Sequence, residues 1–130
     1  LPTLLLARYL TSALKLSPAP VLATVSSRVG SIEDNRLGGW YSDRISKAAL
    51  NMLFRNFALE MARTHPDSVI VGLHPGTVDS TLSAPFQSGL AEGQLTAPDV
   101  AAANLIGVLA RLTPAQSGRV FDFRGQEVPA

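Results

Sequence analysis

Residues 26–32 read SSRVGSI and residues 38–51 read GGWYSDRISKAALN, and these two segments decide the fold of the chain. The first follows a short apolar run at residues 20–25, which its valine, leucine and alanine side chains predict to be a buried strand. The second opens a helical pattern that extends from Ser42, the predicted N-cap, to about Arg63. This part of the chain is therefore predicted to be a strand, a glycine-bearing loop and a long helix.

The remaining segments continue this alternation of helix and strand. We expect helices at residues 2–14 and 96–112 and strands at residues 69–73 and 119–123. Thr96 and Asp99 resemble a capping box at the start of the last helix. The order α-β-α-β-α-β predicts an α/β fold in which three parallel strands are joined by right-handed crossovers. No linker interrupts the pattern, so we predict one domain over residues 1–130.

The long helix has two apolar stripes. The larger side chains form one stripe, at Leu50, Leu53, Phe54, Phe57, Ala58 and Met61. Smaller residues form the other, at Ile45, Ala48, Ala49 and Met52. A helix with two apolar sides must bury both, so we expect one stripe to cover the sheet. The other is predicted to meet another helix or a second subunit.

The composition excludes several classes of function. The formal net charge is +1 and Lys and Arg form no runs, so nothing favours binding of nucleic acid or of an anionic membrane. The chain has no cysteine, and His65 and His74 belong to no cluster with metal-ligand spacing, so we predict no metal site. No apolar run reaches the ~18 residues of a transmembrane helix. Residues 1–6 lack an initiator Met and a cationic flank, so we predict no signal peptide and a cytoplasmic location.

In their order and spacing, these motifs resemble the catalytic stretch of the short-chain dehydrogenases/reductases. The resemblance is carried by the GSI loop at residues 30–32, the Gly38-Gly39 pair and the SKAALN run at residues 46–51. It is closest to the C-factor-like and sniffer-like carbonyl reductases, and it matches the whole chain to the C-terminal half of the family. It implies a partial Rossmann-type doubly wound fold and an NAD(P)-dependent oxidoreductase that acts on a small-molecule carbonyl or alcohol.

The resemblance assigns roles to the serine and the lysine of these motifs. Ser27 matches the family's catalytic serine, which hydrogen-bonds the substrate oxygen, and Ser26 is the alternative. Lys47 matches the lysine that holds the nicotinamide ribose and tunes the catalytic tyrosine. The cofactor implied is NAD or NADP.

The loop after the second strand matches the family's Pro-Gly loop beside the nicotinamide. Its cofactor-binding residues are expected to be Pro75, Gly76, Val78 and Ser80. Val78 would face the carboxamide, and Ser80 would stand near the cofactor phosphates. The glycine-rich turn that binds the pyrophosphate in this family has no match, so the resemblance implies a truncated chain without the N-terminal cofactor-binding half. Binding of NAD or NADP by this chain alone is therefore predicted to be weak or absent.

Asp43 stands where the family has its catalytic tyrosine, four residues before Lys47. Tyrosine has a pKa of about 10 that a nearby lysine lowers, so the phenol can exchange a proton with the substrate. Raising an aspartate from about 3.9 to ~7 would cost roughly 4 kcal/mol. Tyr41 is the less favoured donor: if both residues are helical, a separation of six residues places it and Lys47 on different faces. If Tyr41 precedes the helix, periodicity does not predict its direction. Without the motif, Asp43 would be interpreted as a first-turn acid paired with Lys47.

Two functions are consistent with these residues. The first is an NAD(P)-dependent oxidoreductase in truncated form, with activity lost or strongly impaired by Asp43. The second is a non-catalytic relative that acts as an association or signalling module. Members of the family commonly pair through two helices, so the resemblance also implies a homo-oligomer that contacts its copy through helices 2–14 and 42–63.

Overall fold

A mixed sheet with helices on both faces forms the centre of the molecule. The computed structural model describes residues 2–130 and, within them, the side chains of all but residues 2–4, 7 and 8. The helices are α1 (Pro2–Leu14), α2 (Tyr41–Ala62) and α3 (Pro98–Leu109). The strands are β1 (Val21–Val25), β2 (Val69–His74), β3 (Thr77–Val78), β4 (Leu95–Thr96), β5 (Val120–Asp122) and β6 (Glu127–Val128). Short 3₁₀ turns occupy Arg28–Gly30, Ala84–Gly89 and Pro114–Gln116.

The main sheet has the strand order β1-β2-β5-β6. β1 and β5 both pair with β2 in parallel, and β6 pairs with β5 in antiparallel. β3 and β4 form a separate parallel pair. The predicted α/β class and its three parallel strands are confirmed. The sequence does not predict β3, β4 and β6, because two-residue strands are too short to show an alternation of apolar and polar side chains.

Side chains along β2 alternate between two apolar cores. The core between the sheet and α2 contains Phe54, Ala58, Met61, Ile70, Val120 and Val128. The core on the α3 side contains Val69, Val71, Leu73, Val108 and Phe121. The large-residue stripe of α2 therefore covers the sheet, as predicted. Among the described residues, the small-residue stripe is only partly covered: Ala48 is half-buried, but Ile45 is 68% and Met52 60% exposed.

Gly72 of β2 lets the ring of Phe54 lie directly on the sheet, because an added Cβ would overlap that buried ring. We expect Gly72→Ala to lower the free energy of unfolding by roughly 1–3 kcal/mol, the usual range for overpacking a core. Gly107→Ala is the matched control, because Gly107 lies in α3 with open space around it. Alanine at that position should be neutral or stabilising by up to ~1 kcal/mol. Urea unfolding of both variants provides the comparison, and equal stabilities would contradict the described packing.

β1 is the outer strand of the sheet, and no other strand within residues 2–130 pairs with its free edge. Leu22 is half-buried, whereas Val21 and Val25 are 50% and 60% exposed. Val21 pairs with Val69, so the two side chains lie on the same face of the sheet. Val69 is buried in the core on the α3 side, whereas Val21 is exposed, so this core does not extend to β1. The strand predicted at residues 20–25 is present, but the prediction that it is buried is wrong, because it lies at the edge of the sheet. An apolar edge of this kind favours association with another strand.

The predicted N-cap of α2 is wrong. The helix begins at Tyr41, with Trp40 rather than Ser42 as its N-cap residue. Gly38, Gly39 and Trp40 have φ angles of 65°, 68° and 44°, so three successive left-handed residues turn the chain into the helix. The Gly-Gly signal marks this reversal, but it does not show that the following tryptophan continues it.

The predicted capping box of α3 is also wrong. Thr96 belongs to β4, and the N-cap residue is Ala97, which makes no side-chain hydrogen bond to the helix. Pro98 is the first helical residue and has no amide hydrogen to satisfy, which reduces the need for a cap. The helix ends at Leu109, three residues before the predicted boundary.

Candidate functional site

The turn after β1 presents two serines in different environments. Ser26 is buried, its amide donates to the carbonyl of Leu73 at 2.8 Å, and its Oγ donates to Oδ1 of Asn51 at 2.6 Å. Ser27 is half-buried, and its Oγ accepts a long hydrogen bond of 3.4 Å from the amide of Val29. A hydroxyl held in a short buried hydrogen bond is not available to a substrate. The geometry therefore leaves Ser27, rather than Ser26, free to contact one.

Gly30 brings this turn against α2. An added Cβ at Gly30 would lie 2.7 Å from the carbonyl carbon of Lys47 and 2.9 Å from the amide nitrogen of Ala48. A residue without a side chain is needed for such a close approach of two backbones. Arg44 strengthens the contact, because its Nη1 donates to the carbonyl of Val29 at 3.2 Å. The turn that carries the serine is thereby fixed to the helix at the lysine.

The first two turns of α2 carry Tyr41, Asp43 and Lys47. Tyr41 is the first helical residue and is 78% exposed. Asp43 is exposed, and Lys47 lies one turn further along the same face and is half-buried. Neither charged group forms an ion pair or a side-chain hydrogen bond with any residue that the structure describes. The interpretation of Asp43 as a partner of Lys47 is therefore wrong, and the three donors of the Lys47 ammonium have no partner among the described residues.

The loop after β2 begins with a sharp turn at Gly76. Its φ is 76°, and an added Cβ would lie 3.1 Å from the ring of Phe123, so both conformation and packing favour glycine. Val78 belongs to β3, and its carbonyl accepts a hydrogen bond from Oγ of Ser83 at 2.6 Å. Ser80 is exposed, and its Oγ accepts the amide of Ser83 at 3.3 Å. A small hydrogen-bonded turn thus shapes the end of this loop.

A buried carboxylate at the end of β5 was missed by sequence reasoning. Asp122 is 5% exposed, and its Oδ1 accepts the amides of Arg124 and Gln126 at 2.9 Å each. Its Oδ2 lies 3.6 Å from Nη2 of Arg28, and Nη1 of Arg28 donates to Asp34 at 3.1 Å. Asp122 therefore ties the serine turn to the end of β5. A single aspartate at the end of an apolar strand is the only sequence signal for it, and many surface loops share that pattern.

His74 is the last residue of β2, one residue beyond the predicted end of the strand, and it lines an open cavity of about 440 Å³ together with Arg28 and Asp122. Its Nδ1 is buried and has no hydrogen-bond partner within the described part of the chain. Burial lowers the pKa of His74. The positive charge of Arg28 lowers this pKa further, and the negative charge of Asp122 opposes the shift.

We expect His74 to make the chain less stable in mild acid. Because its folded-state pKa is lowered, the unfolded chain takes up a proton below the ordinary value of 6.5 more readily than the folded chain does. Its contribution to stability is complete above that value and is lost as the pH falls through the folded-state pKa. His74→Gln should remove this part of the pH dependence. Urea unfolding from about pH 8 to about pH 5 measures how the free energy of unfolding of each protein changes with pH. The same pH dependence in both proteins would exclude this role for His74.

Comparison with known proteins identifies the fold and the motifs. No protein-family model matches the chain. It is 40% identical to the C-signal of Myxococcus xanthus over 109 residues, which are 83% of this chain and 60% of that protein. It is 46% identical over 96 residues to the 1-hydroxy-2-glutathionyl-2-methyl-3-butene dehydrogenase of Rhodococcus sp. (strain AD45), which are 73% of this chain and 40% of that enzyme.

Solved structures agree with these relatives. The carbonyl reductase Sniffer of D. melanogaster superposes with a TM-score of 0.83 over 98% of this chain and 52% of its own, at 21% identity, which establishes the fold. The NADPH-bound carbonyl reductase from chicken fatty liver superposes with a TM-score of 0.70 over 85% of this chain and 42% of its own, at 29% identity. The chain belongs to the short-chain dehydrogenase/reductase family. It spans about half the length of the relatives and structures it matches.

The short-chain dehydrogenase/reductase motifs meet at one end of the sheet. Ser27 follows β1 and Pro75 follows β2, and the two strands are parallel neighbours whose carboxyl ends lie side by side. Lys47 reaches the same region through the contact of α2 with Gly30. Asp43 lies one turn before Lys47 on α2, while Tyr41 is displaced around the helix. Within residues 2–130, no helix is both long and apolar enough to cross a membrane.

Proposed function

We propose that this chain is the catalytic-side part of an NAD(P)-dependent short-chain dehydrogenase/reductase that reduces carbonyls or oxidises alcohols. The observation that carries the proposal is the contact at Gly30, which holds the turn of Ser27 against α2 at Lys47. The relatives support it, because one is named as a dehydrogenase and a similar structure is an NADPH-bound carbonyl reductase.

The residues present fit the nicotinamide end of such a cofactor. Lys47 is a half-buried cation with no partner in the described chain, and its three donors suit the hydroxyls of a ribose. The left-handed turn at Gly76 lets a ligand approach the backbone closely, with Pro75, Val78 and Ser80 along the same loop. Bound NAD(P) would supply or accept the hydride. Ser27 would donate its hydroxyl hydrogen to the substrate oxygen and hold it in position.

Asp43 leaves this arrangement without a proton donor. The reduction of a carbonyl requires a proton for the developing alkoxide, and a carboxylate accepts hydrogen bonds but has no proton to give. Its negative charge would also repel the alkoxide. We therefore propose that, with Asp43 in place, carbonyl reduction is slow even when a cofactor and a substrate are bound.

The isolated chain should bind NADPH weakly or not at all. The pyrophosphate of a dinucleotide normally binds at a glycine-rich turn and a helix N-terminus, and the sequence contains no such turn. Calorimetric titration of the chain with NADPH and with NADH measures this. Micromolar binding of either cofactor would show that the binding site has been misplaced.

We also propose that the chain pairs with a second copy through α1 and α2. Ile45, Met52 and Leu59 are 68%, 60% and 51% exposed and lie on one face of α2, at spacings of seven residues. Tyr9 of α1 adds an apolar side chain that is 78% exposed. Surfaces of this kind mark association sites. Sedimentation velocity at micromolar concentration tests the pairing, and a monomer unaffected by Met52→Glu would count against it.

A second function is favoured by the same substitution at position 43. A chain that keeps the helix surface for association but lacks the proton donor could act as a non-catalytic association or signalling module. The relative from Myxococcus xanthus is named C-signal. One experiment distinguishes the two functions: Asp43→Tyr should restore carbonyl reduction only if the protein is an enzyme.

Oxidation of NADPH by a chimera tests the proposed function. In the chimera, the N-terminal part of the Rhodococcus dehydrogenase, whose matched segment is 46% identical, is joined ahead of this chain, which carries Asp43→Tyr. We expect NADPH to be oxidised when aldehydes or ketones are added, and Lys47→Met to reduce the rate at least about tenfold. A folded chimera that binds NADPH but reduces no compound of the panel would refute the proposed function.

A further inference from the structure

A polar cavity lies beside the proposed catalytic turn. Its volume is about 440 Å³, and its charged or polar lining includes Arg28, His74, Asp122, Arg124 and Gln126. Arg28 directly follows Ser27, and the backbone at Gly76 and Thr77 forms another part of the wall. The cavity therefore shares two of the segments that line it, after β1 and after β2, with the site proposed for the substrate and the nicotinamide.

The wall of this cavity presents unused hydrogen-bond donors. Asp122 is the single carboxylate in the lining, and its Oδ1 already accepts two backbone amides while its Oδ2 faces Arg28. The guanidinium of Arg124 lies over the ring of Phe123 at 5.1 Å, and it forms no ion pair or hydrogen bond with the residues described. A ligand that suits this wall must accept hydrogen bonds.

The charges in the cavity favour an anion. Arg28 is paired with Asp122, the carboxylate of the lining, and with Asp34, which lies outside it. Arg124 adds a second guanidinium with no counter-ion. A guanidinium is a planar fork of donors that matches the two oxygens of a carboxylate. A carboxylate therefore suits both the charge and the hydrogen-bonding groups of the wall.

We propose that this cavity binds the carboxylate of a keto acid or aldehyde acid, with the carbonyl group of the same molecule directed to Ser27. Arg124 and the unused donors of Arg28 hold the carboxylate, while Asp122 keeps Arg28 in place. This inference rests on the proposed function, because it narrows the substrates of that site to carbonyl compounds that carry a carboxylate.

NMR titration of the isolated chain with 4-acetylbenzoate tests the binding without cofactor or catalysis. The chain has two histidines, and His65 lies elsewhere, with its ring near Thr64 and the carbonyl of Lys15. We expect saturable shifts of the His74 ring resonances and a higher pKa of His74, because a bound carboxylate favours the imidazolium. The resonances of His65 should stay in place. Methyl 4-acetylbenzoate, which has the same carbonyl but no charge, should produce neither effect.

Two variants and a simple ion complete this experiment. Arg124→Gln should weaken binding of 4-acetylbenzoate about tenfold, the loss expected for one charge-assisted hydrogen bond. Arg55→Gln removes an exposed arginine of α2 outside the cavity and should leave binding unchanged. Inorganic sulfate that moves His74 as strongly as 4-acetylbenzoate would assign an unspecific anion site and overturn the proposal. So would equal binding of the acid and its methyl ester, or shifts at neither histidine.

The chimera with Asp43→Tyr separates this inference from the function on which it rests. We expect a kcat/KM for 4-acetylbenzoate at least about tenfold above that for the methyl ester, and Arg124→Gln should abolish the preference. Reduction of both compounds at equal kcat/KM would overturn the carboxylate site and leave the oxidoreductase function standing. The isolated chain could also bind the carboxylate while the chimera reduces neither compound. That result would refute both the oxidoreductase function and the proposal that the carbonyl group is directed to Ser27.

Discussion

Asp43→Tyr in the chimera is expected to raise the rate of carbonyl reduction by roughly 10²–10⁴, the usual contribution of a positioned general acid. A tyrosine at this position lies one helical turn before Lys47, so the ammonium can lower the pKa of the phenol. The phenol then donates its proton to the substrate oxygen that Ser27 holds. The comparison requires kcat and KM for the same aldehydes and ketones with Asp43 and with tyrosine at position 43.

The expected gain appears in kcat rather than in KM. Proton donation matters most as negative charge develops on the substrate oxygen, so its loss affects the transition state more than the bound substrate. The affinity for NADPH should also stay unchanged, because position 43 is not part of the proposed pyrophosphate or ribose contacts. A change confined to KM would point instead to a packing effect of the larger side chain.

Tyr41→Phe is the matched control for this experiment. Tyr41 is 78% exposed at the first position of α2. Its side chain leaves the helix about 120° away from that of Lys47. Its phenol should contribute little, and the variant should keep the rate of its parent. Full activity with Asp43 in place, abolished by Tyr41→Phe, would make Tyr41 the proton donor and reverse the assignment.

The sequence predicts the larger elements of this fold because they are long enough to show a period. β1 and β2 appear as apolar runs, and α2 shows its buried stripe at the spacing of a helix. The helix boundaries are less predictable. Trp40 is a left-handed residue in front of α2, a conformation that residues other than glycine rarely adopt, so its residue type does not predict it.

The candidate site is predictable only where a motif is continuous in sequence. Ser27 and Lys47 belong to such motifs, but the sequence leaves Ser26 open as an alternative to Ser27. The difference arises from a buried hydrogen bond between Ser26 and Asn51, which is 25 residues away. The cavity beside them is harder still to predict, because Arg28, His74 and Asp122 come from three segments that only the strand order β1-β2-β5 brings together.

Asp122→Ala is expected to lower the free energy of unfolding by roughly 2–4 kcal/mol, the range for losing a buried, charged hydrogen-bond acceptor. The carboxylate accepts two backbone amides that define the turn between β5 and β6, and those donors would lose their partner. Arg28 would lose one of its two carboxylate partners and keep Asp34. Since the side chain of Arg28 is 41% exposed, water compensates part of this last loss.

Glu127→Ala is the matched control, because it removes a carboxylate from the adjacent strand. Glu127 pairs with Arg119 at 2.8 Å, but both side chains are nearly half exposed, at 47% and 46%. Exposed ion pairs of this kind contribute about 0–1 kcal/mol, so the variant should unfold close to its parent. Urea unfolding followed by circular dichroism compares the two variants, and similar losses for both would contradict the structural role of Asp122.

Asp122→Asn separates the contribution of the two amide hydrogen bonds to stability from that of the negative charge beside Arg28. An asparagine can still accept the amides of Arg124 and Gln126, but it has no charge for Arg28. We expect its loss of stability to lie between those of Glu127→Ala and Asp122→Ala. The pKa of His74 should fall further in this variant, because the negative charge of Asp122 raises it in the parent chain. NMR titration of His74 measures that shift, and an unchanged pKa would show that the carboxylate does not act on the imidazole.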